Sequence, residues 1–270
     1  MIKRPGGALA FYVLQDGIGR IQLMARRDIL GESDYERFLE LGTGDIVGAT
    51  GPMIRTRTGE PSVEVREFKL LSTALRPLPE KWHGLKDVEL RYRQRQVDLI
   101  ANPEVRDVFV TRSKLVAGLR RYMDEQDFLE VETPVLQDIP GGGLAKPFRT
   151  HHNALDLDLY MRIALELHLK RLIVGGIEKV YEIGRVFRNE GLSPRHNPEF
   201  TMFEYYEAFA DYEDVMRRTA DMITAAITAA GKRPGPTYQG EELAPPPPYP
   251  TQRTVNPTHS NPAPATRAAT

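Results

Sequence analysis

The chain has 270 residues, enough for one large or two ordinary domains, and its 41% hydrophobic and 27% charged residues are typical of a soluble globular protein. A net charge of −1 excludes a molecule-wide basic field, so any RNA site must be a local patch. The absence of cysteine excludes disulfides, thiolate metal sites and cysteine nucleophiles. No apolar run approaches the ~20 residues that span a bilayer, and the N-terminus lacks a signal-peptide core. We expect a cytoplasmic protein with no membrane partner.

Residues 1–76 are predicted to form a small β-rich domain. Short strands, turns that contain glycine and one inserted helix favour a Greek-key barrel of the OB-fold type. Because only about ten residues precede Phe11, we expect the first strand of this barrel to be incomplete. The predicted strands are residues 9–14, 19–24, 45–51 and 62–71, with turns at 15–17 and 57–60 and a helix at 34–41.

Residues 77–103 are predicted to be a linker that contains a short hinge helix. Pro77 and Pro79 interrupt regular structure, and an Arg- and Leu-rich helix over 88–100 follows. Two interpretations of Arg91, Arg93 and Arg95 stay open. They could contact tRNA phosphates, or they could form ion pairs within the hinge.

Residues 104–231 are predicted to form an α+β domain. Apolar residues near a 3.6-residue period predict a long amphipathic helix over 104–126, and alternation predicts a strand over 128–134. The strands and helices that follow lack a strict βαβ rhythm, so an antiparallel sheet is favoured. The further predicted strands are 155–160, 180–187 and 200–209, and the further predicted helices are 162–174 and 212–230.

The remaining residues, 232–270, are predicted to be a disordered tail. Ten of the 21 prolines lie in residues 234–264, and large apolar side chains are rare there. Such a segment cannot bury enough surface to offset the entropy of ordering it.

The segment 185–206, RVFRNEGLSPRHNPEFTMFEYY, has the side chains of a binding site. Residues two apart on a strand share a face, so Glu204 should lie beside Tyr206, and Arg188 beside Glu190 on the partner strand. A guanidinium binds phosphate or carboxylate, a carboxylate suits an ammonium group, and a phenyl ring suits a purine. This hairpin could therefore hold a nucleotide and an amino acid. The alternative, and the commoner outcome of such alternation, is a solvated face with weak ion pairs.

The same segment resembles motif 2 of class II aminoacyl-tRNA synthetases, through FRNEG followed by RHNPEFTMFE. The helix, strand and proline over 104–134 resemble motif 1 of that class. Residues 139–143, 146–148, 150–156 and 160–167 resemble the lysine–tRNA ligase branch, and the likeness covers roughly residues 2–243. It implies ATP-dependent ligation of lysine to its tRNA through a lysyl-adenylate, with ATP as substrate, Mg²⁺ on the phosphates, and lysine and lysine tRNA as partners.

The resemblance also implies residue roles at the ATP site. Arg188 would bridge the α-phosphate of ATP and the carboxylate of lysine, and is the catalytic residue. Glu190 and Asn197 would contact the adenine–ribose end, with His196 nearby. Phe200 would stack on adenine.

For the amino acid, the resemblance implies that Glu166 and Glu204 hold the α-ammonium group of lysine, with the Gly142 backbone beside it. Tyr206 would reach toward the ε-ammonium group. Leu165 stands where the family usually has proline, which is expected to loosen this segment.

The resemblance implies anticodon recognition on the first domain. Phe11 would stack on an unpaired base, Gln22 would read a base edge, and a basic residue equivalent to Arg4 (or Lys3) would assist. For Phe11, a place in the barrel core is an equally plausible alternative from the residues alone.

Two further expectations concern metals and oligomeric state. His151 and His152 suggest zinc, but adjacent residues on an extended segment point apart and a third ligand at metal spacing is missing, so no metal site is predicted. Asp156 and Asp158 are more simply a solvated strand face. Motif 1 implies a homodimer, and Leu115, Leu119 and Pro134 are the positions that would test it, although a core helix would show the same period.

The sequence departs from the family after about residue 240, where class II motif 3 is expected and not found. That motif would supply the γ-phosphate arginine, metal-binding carboxylates and the reader of the lysine side chain. The change at 243–245 suggests a truncated or frame-shifted product, or a genuinely shortened paralogue. We therefore expect little autonomous activity, and the alternative function is a catalytically inactive tRNA-binding or dimerisation module.

Overall fold

The computed structural model describes residues 4–17, 19–76, 78, 85–191, 193, 196–231, 237–238 and 241–242. The chain divides into two compact units, Met1–Asp107 and Val108–Thr270. The predicted subdivision at residues 76, 103 and 231 is finer than this division and stays a prediction. The predicted disorder of residues 232–270 lies outside the described residues, apart from two short strands.

The first unit contains the predicted strands and helix. In chain order its elements are β1 (Arg4–Gly6), β2 (Leu9–Gln15), β3 (Arg20–Arg26), α1 (Arg27–Leu30), α2 (Glu32–Glu40), β4 (Ile46–Thr50), β5 (Met53–Arg55), β6 (Pro61–Val65), β7 (Glu67–Ser72), α3 (Val88–Arg93) and α4 (Arg95–Ala101). The strands form a five-stranded sheet in the order β1-β2-β3-β6-β5 and a two-stranded sheet of β4 and β7. Neighbours are antiparallel except β3 and β6. Within residues 4–76 the two sheets stay separate and do not form a closed barrel.

Two strands of this unit can be compared with their predicted bounds. The opening strand β1 has three described residues, and the expectation of an incomplete first strand stays a prediction because residues 1–3 lie outside the described residues. The prediction of one strand over 62–71 is wrong. The chain bends at Arg66 and divides there into β6 and β7, which belong to different sheets. The amide of Arg66 donates to the carbonyl of Thr50 at 2.9 Å, which fixes the bend.

The core of the first unit is aromatic. Tyr12, Tyr35 and Phe38 are fully buried. The Phe38 ring packs edge-on against Tyr12 at 4.8 Å and against Phe68 at 5.1 Å between centroids. Edge-to-face pairs at these distances add to the stability that burial of the rings provides.

The hinge helix predicted over 88–100 is instead two helices, α3 and α4, separated at Gln94. Asp98, fully buried, accepts hydrogen bonds from Arg91 at 2.8 Å and Asn102 at 2.7 Å, and it also pairs with Arg95. Burial works to raise the pKa of Asp98, but the bonds from Asn102, Arg91 and Arg95 hold it below its usual range. Arg93 pairs with Glu89 at 2.6 Å. The structure thus favours the ion-pair interpretation of the arginine run.

The second unit confirms the α+β prediction. Its elements are α5 (Glu104–Glu125, which begins in the first unit), β8 (Leu129–Glu130), β9 (Leu136–Gln137), β10 (Arg149–His152), β11 (Leu157–Met161), α6 (Glu166–Val174), β12 (Lys179–Phe187), β13 (Glu199–Glu207), α7 (Tyr212–Ala229), β14 (Thr237–Tyr238) and β15 (Glu241–Glu242). The sheets are β13-β12-β8, β10-β11-β9 and β14-β15. The pairing of β12 with β13 is antiparallel, and that of β12 with β8 is parallel.

Alternation along β12 divides its side chains between two cores. Tyr181 packs with Met123, Phe128 and Met222, which come from α5, the loop after it and α7. Val180 and Val186 point the other way and pack with Leu165, Leu169 and partly buried residues of β13. The α6 side of the sheet is therefore the side on which the predicted site residues of β13 lie.

Several boundaries in this unit also differ from prediction. The strand predicted over 128–134 is only two residues long, and β9 and β10 were not predicted. The helix predicted over 162–174 begins at Glu166, because Arg162 and Ile163 belong to an irregular segment bonded to β12. Among the helices in the described ranges, none has both the length and the apolar character needed to cross a bilayer.

Candidate active site

The β12–β13 hairpin positions the candidate site. The antiparallel register sets Glu182 opposite Glu204, Val180 opposite Tyr206, and Val186 opposite Phe200. Opposite residues in a ladder share a face of the sheet. The site residues of β13 therefore lie on the same side as Val180 and Val186, which is the side covered by α6.

A buried ion pair that the sequence analysis missed lies on this same side. Arg162 Nη1 lies 2.6 Å from Glu182 Oε1, and the two side chains are only 4% and 3% exposed. Thr133 Oγ1 donates to the other Glu182 oxygen at 2.6 Å, and Arg162 Nε donates to the carbonyl of Arg185 at 2.8 Å. A Cβ at Gly184 would collide with the Arg162 guanidinium. This network holds the segment before α6 against β12. A glutamate flanked by apolar residues in the middle of a strand was the available signal.

Glu204 and Tyr206 share a face, as the alternation predicted. Glu204 Oε1 accepts a hydrogen bond from the Leu165 amide at 3.2 Å, and Glu204 Oε2 accepts one from the Tyr206 hydroxyl at 3.1 Å. Burial raises the pKa of Tyr206 well above its usual value, and the charges of Glu204 and Glu166 raise it further. The phenol therefore stays protonated and keeps donating to Glu204 at neutral pH.

Gly142 lies against the start of α6. Its φ of +83° is in the left-handed region, and a Cβ there would lie 2.9 Å from Ala164 Cβ and 3.3 Å from Glu166 Cβ. Glycine is needed both for the backbone conformation and for the close approach. Glu166 is the first residue of α6, and its carboxylate pairs with Lys170 at 2.5 Å. The structure thus brings Gly142 beside Glu166, and Glu166 near enough to Tyr206 to affect its pKa.

Arg188 and Phe200 lie together at the end of the hairpin where β12 stops and β13 begins. The Arg188 guanidinium lies over the Phe200 ring, 5.3 Å from its centroid, and its Nε and Nη2 donate to the Ile163 carbonyl at 3.4 Å each. An arginine over an aromatic ring is a favourable cation–π contact. A flat ring next to a guanidinium can hold a purine beside a phosphate or carboxylate.

The prediction that Arg188 and Glu190 lie together on a strand is wrong. Strand β12 ends at Phe187, although the Arg188 amide still donates to the Pro198 carbonyl at 2.8 Å. Glu190 instead accepts from the amide of Lys146 at 3.3 Å, which ties the hairpin end to a distant loop. The Asn189 amide also donates to the Lys146 carbonyl at 2.7 Å, so the chain bonds to this loop after β12 ends.

His196 and Asn197 lie at the exposed end of the hairpin. His196 Nδ1 lies 2.7 Å from Ser193 Oγ, and the backbones of these two residues form an isolated bridge. The ATP contacts of His196 and Asn197, like that of Glu190, stay predictions.

The two histidines on β10 have different partners. His151 Nδ1 lies 3.1 Å from Asp158 and His151 Nε2 lies 3.4 Å from Asp156, whereas His152 Nδ1 accepts from the Leu155 amide at 3.3 Å. Asp158 also forms an ion pair with Arg149, whereas Asp156 is almost fully exposed, as expected for a solvated carboxylate. In the part of the chain that the structure describes, no group of three His, Cys, Asp or Glu side chains could hold a metal ion.

On the first unit, Phe11 and Gln22 lie on one face of the sheet. The register pairs Phe11 with Met24 and Val13 with Gln22, while Tyr12 faces the core. Phe11 is half-buried and lines a groove of about 860 Å³, so it is not part of the buried core. The other lining residues are Ala8, Leu9, Met24, Arg26, Arg27, Asp28, Thr56, Arg57 and Thr58. The three arginines in that set were missed by the sequence analysis.

Gln22 and Arg4 have defined positions in the same sheet as Phe11. Gln22 Oε1 accepts from the fully buried Ser62 hydroxyl at 2.8 Å, which fixes the orientation of the amide. Arg4 on β1 is the ladder partner of Phe11.

Two protein-family models match this chain. Residues 87–254 match the family model described as tRNA synthetases class II (D, K and N), and residues 1–71 match the OB-fold nucleic acid binding domain. The first of these models covers more than half of the chain. The chain therefore belongs to the class II tRNA synthetase family, with an OB-fold domain at its N-terminus.

Within that family, the similar curated proteins are lysine–tRNA ligases. The chain is 61% identical over 223 residues to the lysine–tRNA ligase of Halalkalibacterium halodurans, covering 83% of this chain and 44% of that protein. It is 57% identical over 250 residues to the lysine–tRNA ligase of Pelotomaculum thermopropionicum, covering 93% of this chain and 49% of that protein. It is 60% identical over 223 residues to the lysine–tRNA ligase of Bacillus subtilis, covering 83% of this chain and 45% of that protein. The chain spans about half the length of the curated relatives it matches.

Proposed function

We propose that this protein takes part in ATP-dependent ligation of lysine to its tRNA through a lysyl-adenylate. The second unit would bind ATP and lysine, and the first would bind the anticodon. The observation that carries the proposal is the arrangement of Glu204, Tyr206 and Glu166 around the start of α6, with Arg188 over Phe200 on the same hairpin. This arrangement offers carboxylates for ammonium groups next to a guanidinium and an aromatic platform.

The proposed first step is attack of the lysine carboxylate on the α-phosphate of ATP, with pyrophosphate leaving. Arg188 would contact both reacting groups and stabilise the charge that develops between them, while Phe200 stacks on the adenine. The second step is transfer of the lysyl group from the adenylate to a hydroxyl at the tRNA 3′ end. No side-chain nucleophile is needed, because catalysis rests on positioning and electrostatic stabilisation.

The amino-acid pocket suits a diammonium ligand. Glu166 and Glu204 would bind the α-ammonium group beside the Gly142 backbone. Because the Tyr206 hydroxyl donates its proton to Glu204, its oxygen lone pairs remain available to accept from the ε-ammonium group. The raised pKa of Tyr206 preserves this donor and acceptor pattern at neutral pH.

Mg²⁺ would neutralise charge on the triphosphate of ATP when it is bound. The described residues contain no cluster of three side chains suited to a metal ion. The residues described here therefore do not by themselves form a magnesium site, and no step is assigned to the ion. The contacts of Glu190, His196 and Asn197 with the adenine–ribose end are part of this proposal.

The anticodon of lysine tRNA would bind in the groove of the first unit. Phe11 offers a ring for base stacking, Gln22 an amide for a base edge, and Arg4 a cation on the neighbouring strand. Arg26 and Arg27, which pair with Asp28 and Glu32, line this groove together with Arg57, and these guanidinium groups could contact RNA phosphates.

We also propose that the protein forms a homodimer through α5 and the segment that follows it. Val108, Phe109 and Leu115 of α5 are 66%, 48% and 37% exposed, and Pro134 is exposed as well. Leu119, by contrast, packs on the core around Met123. Exposed apolar residues grouped on one element are typical of an interface.

The test is lysine-dependent ATP–pyrophosphate exchange, measured together with lysine binding and tRNA binding by the 270-residue chain. Exchange that requires lysine and is lost in Arg188→Gln would support catalysis by this chain. Retained tRNA binding with no exchange and no lysine binding would support the alternative, a catalytically inactive tRNA-binding module.

A further inference from the structure

Lys170 places its own ammonium group in the proposed amino-acid pocket. Its Nζ lies 2.5 Å from Glu166 Oε1 and 5.7 Å from the centroid of the Tyr206 ring. These are two of the groups to which the proposed function assigns the ammonium groups of lysine. An internal ammonium group therefore pairs with one of the carboxylates assigned to the ligand and lies over the ring of the tyrosine beside it.

An ordinary helix contact is the alternative. A glutamate in the first turn and a lysine four residues later stabilise any helix, through the pair itself and through the helix dipole. The pair Glu89–Arg93 in α3 has the same spacing and a length of 2.6 Å, with side chains 69% and 73% exposed. Its features are those of a surface ion pair.

The Lys170 pair differs from that surface pair in its surroundings. The Glu166 side chain is 34% exposed, its Cβ lies close to the position that a Cβ on Gly142 would take, and its charge acts on Tyr206. Lys170 itself is 54% exposed, so its flexible chain can swing into solvent without unpacking a core. The ammonium group thus lies at the open side of the pocket and can leave.

We propose that Lys170 is a positioning residue that occupies the ammonium site of the unliganded protein and is displaced when the amino acid binds. The inference rests on the proposed function. Without Lys170, the Glu166 carboxylate would lose the ion pair that it forms within α6. With it, the Glu166 carboxylate stays oriented, and the pair is weak enough to be replaced by an ammonium group of the ligand.

The expected effect follows from the strength of such a pair. Exposed ion pairs contribute an amount equivalent to roughly 1.5- to 5-fold in an equilibrium constant. Lys170→Met should therefore tighten the binding of L-lysine by about 2- to 5-fold. It should also make binding more sensitive to salt, because the ligand then competes with counter-ions instead of an internal cation.

The experiment is calorimetric titration of L-lysine into the 270-residue chain at two salt concentrations. Lys170→Arg keeps the cation and should bind like the parent. The matched control is Arg93→Met, which removes the cation of the Glu89–Arg93 pair and should leave lysine binding unchanged. Lys170→Gln serves as a second neutral variant if Lys170→Met folds poorly, as judged by circular dichroism.

The outcomes separate this inference from the proposed function. If the parent binds lysine and both neutral variants bind it equally or more weakly, Lys170 is not a displaced cation and the inference is wrong. If neither the parent nor any variant binds lysine, the proposed function of the pocket fails, and the inference fails with it. Tighter and more salt-dependent binding in both neutral variants supports it.

Discussion

The sheet of β2 and β3 and the sheet of β12 and β13 build their sites in different ways. In the first unit an aromatic core around Tyr12 and Phe38 supports the sheet, and the groove lined by Phe11 uses the opposite face. In the second unit charged groups lie beneath the site itself, because Arg162 and Glu182 are buried on the same side of the sheet as Glu204. A binding face can follow from strand alternation alone, whereas a pocket that joins separate segments needs buried polar contacts to hold them.

The largest expected effect comes from removing one partner of the buried pair. Glu182→Leu leaves the Arg162 guanidinium buried and unpaired, which should cost about 3–5 kcal/mol of stability. Hydrogen exchange measured by mass spectrometry should show lost protection in β12 and β13, while β2 and β3 keep theirs. The matched control, Arg120→Met, breaks the half-exposed Arg120–Glu130 pair of 3.0 Å and should cost less than about 1 kcal/mol. Equal effects of the two substitutions would show that the buried pair does not hold the pocket.

The groove of the first unit is tested by Phe11→Ala. Loss of a stacked base should weaken binding of a lysine tRNA anticodon stem-loop by about 1–3 kcal/mol, with little change in stability because Phe11 lies outside the core. Fluorescence anisotropy with labelled RNA measures this. The control is Phe209→Ala, which removes a ring that is 97% exposed in the second unit. Unchanged RNA affinity in Phe11→Ala would show that Phe11 does not stack on a base of the anticodon.

A smaller effect is expected at the glycine beside α6. Gly142→Ala forces a Cβ into a left-handed conformation and toward Ala164, which should cost about 1–2 kcal/mol and weaken lysine binding roughly 10-fold. Gly176→Ala is the matched control, because Gly176 has a φ of +97° but open space where the Cβ would lie. It should lose similar stability and keep lysine affinity, as calorimetry would show. Equal lysine affinities in the two variants would argue against the close approach at Gly142.

The smallest effect concerns acid stability of the first unit. The Ala74 and Gly42 amides donate to Asp45 at 2.8 and 2.7 Å and hold its pKa below the usual value. Because the folded pKa is lower than the unfolded value of about 3.9, this stabilisation is present above that pH and lost as the pH falls through the folded pKa. Thermal melts between neutral and acid pH should therefore show a shallower loss for Asp45→Asn. A variant with the same pH profile as the parent would contradict this origin.

What the sequence determined by itself is local. Period-two alternation predicted β3, β12 and β13, and it correctly set Glu204 beside Tyr206, while an apolar run predicted β2. The helical period of the apolar residues predicted the bounds of α5, with an error of one residue at its C-terminal end. These features depend on residues next to one another in the chain, so the pattern of side chains is sufficient to predict them.

Only the tertiary structure decided how distant segments meet. Arg188 leaves the strand, α6 begins four residues later than predicted, and Lys170 lies over the Tyr206 ring. Each depends on packing between groups far apart in sequence, such as the Arg162–Glu182 pair, which fixes the segment before α6. Alternation predicts which side of a strand a residue faces. It does not predict which other segment will lie there, because that depends on close packing of the whole core.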